Sequence, residues 1–104
     1  MKEYAPELGL LHISPIQTCE KTNNKDYIRF YLYRIKNQYF CAFQVCINNK
    51  PFSCSLKANS PLFASEFSAK ESAVKSITKW AKQNHLTKRL VCLYPAEIYQ
   101  LELF

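Results

Sequence analysis

Residues 26–57 constrain the fold of this chain more than any other stretch. DYIRFYLYRI (26–35), NQYFCAFQVCI (37–47) and PFSCSLK (51–57) alternate with period two, as strands with one buried face do. A reversal around Lys36-Asn37 opposes Leu32 to Cys41, Phe30 to Phe43 and Ile28 to Val45, and Asn tolerates the left-handed backbone of a tight turn. A second reversal around Asn49-Lys50, with Pro51 behind it, opposes Ile47 to Phe52, Val45 to Cys54 and Phe43 to Leu56. Both registers put Phe43 and Val45 on one face, and slipping either by one residue would mix the faces. The core face then reads Ile28, Phe30, Leu32, Cys41, Phe43, Val45, Ile47, Phe52, Cys54 and Leu56.

The opposite face carries Tyr27, Arg29, Tyr31, Tyr33, Phe40, Ala42, Gln44, Cys46, Ser53, Ser55 and Lys57. It is aromatic at one side and small and polar at the other. A solvated sheet face is usually more charged than this.

Around these strands the pattern is less regular. Met1 to Glu7 is polar. Leu8 to Cys19 reads as a strand interrupted by Pro15, which belongs at a sheet edge because proline cannot donate to a ladder. Glu20 to Lys25 reads as a polar turn, and Ala58 to Phe67 as a loop with two apolar anchors, Leu62 and Phe63. Ser68 to about Asn84 reads as a helix. Ser68 and Glu71 fit a capping box, and Ala73, Val74, Ile77, Trp80 and Ala81 form an apolar stripe suited to the core face. Asn84 is an accepted left-handed cap, and a protonated His85 just beyond it would suit the helix dipole. Lys75, Lys79 and Lys82 lie on the other side of this helix, either as an ordinary solvated face or as a stripe that tracks phosphates. RLVCLY (89–94) reads as a further strand. Residues 95–104 fit a short helix opened by Pro95 or a strand, and carry two acids and no base, so they could cover a basic or aromatic surface. The expected fold is one α+β domain over residues 1–104. It is a four-stranded, mainly antiparallel meander with one amphipathic helix packed on one face and a short C-terminal strand or helix.

Composition narrows the function. A single glycine, Gly9, removes glycine-rich phosphate loops. Five cysteines without a CxxC pair, and only two histidines, argue against structural zinc. Cys41 and Cys54 read as small buried hydrophobes. With no leader and no apolar run long enough to span a bilayer, reduced thiols in a cytoplasmic, non-membrane protein is the simplest account. No nucleophile has a base and an orienting group in any readable motif, and no cofactor motif is present, so the chain reads as a non-enzyme. His12 and His85 have structural roles as the better reading. The net charge of +6 is within what solubility explains and also suits a polyanionic partner.

Two binding functions fit. In the first, Tyr27, Arg29, Tyr31, Tyr33 and Phe40 stack unpaired bases of a single-stranded nucleic acid, with Lys57, Lys75, Lys79 and Lys82 supplying charge. The order strand, strand, strand, strand, helix resembles the layout of Whirly-type and purine-rich-element-binding single-strand modules. That resemblance is topological, rests on no motif, and implies recognition through the sheet face. It requires Tyr31 and Tyr33 to be free of cover by another element. In the second, the chain is a small adaptor or inhibitor of the kind phages and mobile elements encode, meeting an acidic protein through aromatic and arginine contacts. A homodimer through the tyrosine face is a variant of that reading. The bland alternative is that the chain ends cover this face as a second core layer.

Overall fold

The computed structural model of the protein describes residues 14–93. Four strands, β1 (Gln17–Asn23), β2 (Asp26–Ile35), β3 (Gln38–Ile47) and β4 (Lys50–Cys54), form an antiparallel meander in the spatial order β1-β2-β3-β4. Two helices follow, α1 (Glu66–Gln83) and α2 (Thr87–Leu93). The α+β meander expected from the sequence is present, with a short second helix as its last described element.

The β2–β3 register is the expected one, with Leu32 opposite Cys41, Phe30 opposite Phe43 and Ile28 opposite Val45. The left-handed residue of that turn is Lys36, at φ 57°, rather than Asn37. The β3–β4 register differs from expectation by two residues: Val45 faces Phe52 and Phe43 faces Cys54. The turn residues are Asn48 and Asn49, both at positive φ (54° and 64°), the backbone of the two-residue hairpin turn that matches strand twist. A two-residue slip preserves parity, so Phe52 keeps its side of the sheet. Two other assignments fall because β4 ends at Cys54. Cys54 is exposed. Leu56 crosses to the opposite face and packs with Phe40 and Ala42.

β1 is an edge strand, as Pro15 implied, and pairing is prolonged by the Ile16 N–H donating to the Leu32 carbonyl at 2.7 Å. It also takes in Glu20 to Asn23, expected as turn; the reversal is confined to Asn24-Lys25, with Asn24 at φ 60°. Residues 8–13 of the expected first strand and all of 95–104 lie outside the described residues.

Both helices pack on one face. Ala69, Ala73, Val74, Ile77 and Ala81 of α1 and Leu90 and Leu93 of α2 are buried in one cluster with Ile28, Phe30, Leu32, Phe43, Val45 and Ile47. An aromatic ladder registers α1 on the sheet: Phe43 tilts against Phe52 at 5.2 Å, and Phe52 stacks on Trp80 at 5.1 Å. α1 starts three residues earlier than the Ser68–Glu71 reading. Its N-cap is Ser65, whose Oγ accepts from the Ser68 N–H at 3.1 Å. Glu71 instead pairs with Lys75 one turn on, at 3.7 Å. At the other end Asn84 is the C-cap at φ −106°, and His85 takes the left-handed position at φ 58°. The Leu86 N–H returns to the Ala81 carbonyl at 2.7 Å and the His85 N–H to the Lys82 carbonyl at 3.3 Å, which together make a Schellman motif.

That motif launches α2, where a strand was expected at 89–94. An apolar run this short fits either state by pattern alone. Leu86, Leu90 and Leu93, at helical spacing, all enter the core. Asp26, the buried charged residue at the start of β2, then ties α2 to the sheet. Its carboxylate accepts from Arg89 Nε and Nη2 at 3.0 and 2.9 Å and from the Asn48 N–H at 3.1 Å.

Candidate functional site

Because both helices occupy one face, the other face of the sheet has no helix on it among the described residues. Strict alternation along β2 sends Ile28, Phe30 and Leu32 into the core and leaves Tyr27, Arg29, Tyr31 and Tyr33 half-buried on the far side. Neighbours in this row are about 7 Å apart, two residues of antiparallel strand. β1 borders the row with Thr22, Glu20 and Thr18, and β3 with Cys46, Gln44, Ala42 and Phe40.

The polar contacts fix the row. Arg29 Nε donates to Glu20 Oε2 at 2.8 Å, and the guanidinium carbon sits 4.4 Å from the centre of the Tyr27 ring. The hydrogen bond that Arg29 donates to Glu20 holds the guanidinium still further into its charged range. Tyr31 Oη donates to Gln44 Oε1 at 3.3 Å. Beside these two lies an open groove of about 490 Å³, lined by Tyr31, Tyr33, Gln44, Ser53, Ser55 and Thr18 among others. A smaller groove of about 310 Å³ continues past the end of the row, where Lys36 and Lys57 flank Ile35 and Leu62.

The nine residues expected to act together divide into three groups. Tyr27, Arg29, Tyr31 and Tyr33 share one row, and exposed Lys57 stands near its Ile35 end. Phe40 is 5% exposed, packed with Leu56, Ala42, Leu62 and Phe63 where the loop after β4 folds back to bridge Tyr39 to Phe63. It is therefore a packing residue and not a stacking surface. Lys75, Lys79 and Lys82 are exposed on α1, whose buried side rests on the opposite face of the sheet. They cannot flank a ligand lying on the tyrosines. Glu20 is a contributor that the sequence pattern does not reveal, and Gln44 is on the expected face without being among the nine expected site residues. Glu20 became visible as a neighbour of Arg29 only once β1 extended to Asn23, whereas Gln44 was already placed on this face by its register.

The cysteines form no disulfide: all five are free. Burial pushes the Cys41 thiol up to about 12, the opposite of nucleophile activation. Among the described residues no three His, Cys, Asp or Glu side chains gather as metal ligands, and no helix is long and apolar enough to cross a membrane. Comparison with protein-family models, curated proteins and solved structures returns no match.

Proposed function

We propose that this protein is a non-enzymatic binding module whose working surface is the tyrosine face, and that its ligand is a single-stranded nucleic acid. The observation that carries this reading is the row Tyr27, Arg29, Tyr31 and Tyr33, half-exposed on the sheet face away from both helices. Aromatic rings accept any unpaired base by stacking, worth about 1–3 kcal/mol per base by alanine substitution. Lys36 and Lys57 flank the end of the row, within reach of a phosphate backbone laid along it, and a net charge of +6 would raise the local concentration of a polyanion. Free cysteines throughout fit action in a reducing compartment such as the cytoplasm.

A second reading has its own observation. Glu20 already neutralises Arg29, and the α1 lysines are on the other surface, so the centre of the tyrosine face is close to neutral. Tyrosine, a paired arginine and small polar groups suit a protein partner, in the manner of a small adaptor or inhibitor, or a second copy of the chain.

Fluorescence anisotropy with labelled single-stranded DNA, RNA and duplex, at low and near-physiological salt, separates the two. The nucleic-acid reading expects single strands to bind more tightly than duplex, salt to weaken them, and Tyr31→Ala to weaken them further at fixed salt. Binding that salt removes and Tyr31→Ala leaves unchanged would overturn it in favour of a protein partner.

A further inference from the structure

We infer that the groove beside Tyr31 reads the edge of one unpaired base at its 4-position, and that it favours the O4 acceptor of thymine or uracil over the N4 amino donor of cytosine. This deepens the single-strand reading and rests on it. The groove holds about 490 Å³ and opens to solvent between the β2 tyrosines and the Ser53–Ser55 segment. Tyr31 and Tyr33 supply aromatic surface along one side. Gln44, the β3 neighbour of both Arg29 and Ser53, lines it as well.

Recognition follows from how Gln44 is held. Its Oε1 accepts from Tyr31 Oη at 3.3 Å, which leaves the amide NH2 group to donate. Ser53, Ser55 and Thr18 add hydroxyls that can follow either role. With that bond made, the Gln44 amide presents its donor side to the groove. Thymine and uracil carry O4 where cytosine carries an N4 amino group, so at the 4-position the Gln44 donor meets an acceptor in the first two and another donor in the third. Like polarity leaves both amino groups unpaired, and discrimination comes from that mismatch as much as from the bond gained. Gln44 is exposed, so its replacement does not disturb the core.

The test uses labelled dT and dC oligomers of equal length in anisotropy titrations with the whole chain and with Gln44→Glu. The intact protein is expected to bind dT roughly threefold to tenfold more tightly than dC, about the net effect of one hydrogen bond. Gln44→Glu exchanges the donor for an acceptor able to take the cytosine N4–H, so the dT/dC ratio should fall toward or below one. Far-ultraviolet circular dichroism checks that the variant remains folded, and Gln44→Leu, which removes the donor without adding charge, should erase the preference. Equal binding of dT and dC by the intact protein, or a preference unmoved by both variants, would overturn the base-reading role while leaving single-strand binding intact. If neither these oligomers nor their rU and rC counterparts bind, the single-strand reading fails and this inference fails with it.

Discussion

Along β2, Ile28, Phe30 and Leu32 are at most 1% exposed beneath the helices, whereas Tyr27, Arg29, Tyr31 and Tyr33, one step along the same strand, remain half-exposed. The two faces share a backbone and a register and differ in what is laid across them. The core face is apolar and meets an apolar helix stripe, so each residue there is fixed by many neighbours. Among the described residues the tyrosine face carries only a small packed cluster, Phe40, Ala42 and Leu56, against which Tyr31 and Tyr33 rest on one side, and the polar contacts Arg29–Glu20 and Tyr31–Gln44 add to it. The first arrangement is that of a core, and the second is that of the half-exposed surface to which we assign the proposed ligand. Truncations should therefore cost stability on one face and binding on the other.

The largest stability effect is expected on the core face. Phe30→Ala should lower the unfolding free energy by about 3–5 kcal/mol in urea titration, whereas Tyr31→Ala should lower it by about 1 kcal/mol. Equal losses would mean that the tyrosine face is a second core.

Next comes the tie between α2 and the sheet. Asp26 is buried, and its hydrogen bonds to Arg89 hold its carboxyl below the ordinary aspartate pKa. A carboxylate with a lowered folded-state pKa adds stability that is complete above about pH 4 and lost as pH falls through the folded-state value. Asp26→Asn should lower Tm by several degrees at pH 7 and flatten the acid side of the Tm–pH profile. An unchanged profile would show that Asp26 does not anchor α2.

Smaller effects test the helix boundaries. Ser65→Ala should cost about 1 kcal/mol and Ser68→Ala clearly less, because Ser65 is the N-cap. The reverse order would restore the cap to Ser68. His85→Gly should stabilise by about 0.5–1 kcal/mol, since glycine holds the left-handed position without a Cβ clash.

Legibility in the sequence followed the alternation of apolar and polar residues. The pairing of β2 with β3 is legible to the residue, and only the start of β3 differs by one, because ten-residue strands with one apolar face admit one parity. β4 was readable in face but not in register, since an Asn-Asn-Lys stretch offers two neighbouring turns and parity cannot choose between them. Leu56 was misplaced because nothing in SCSLK marks the point at which the chain leaves the sheet. β1 was half-missed: EKTN carries no apolar alternation, and its pairing comes from the adjacent strand. The α2 segment reads as a strand when the run starts at Arg89, which hides Leu86 as the first of three helically spaced leucines. In the candidate site the tyrosine row was legible. The separation of the α1 lysines from it was not, because that depends on which side of the sheet the helix occupies relative to those tyrosines. The burial of Phe40 depends on a loop that returns twenty-three residues later to pair at Phe63.

The most direct measurement is a side-chain nuclear magnetic resonance titration of the intact protein with an unlabelled dT oligomer, following tyrosine rings, the Gln44 amide and lysine Nζ groups together. Tyr27, Tyr31, Tyr33 and Gln44 signals should shift with one common affinity, while those of Lys75, Lys79 and Lys82 stay in place. Shifts confined to the α1 lysines would contradict the tyrosine face as the working surface.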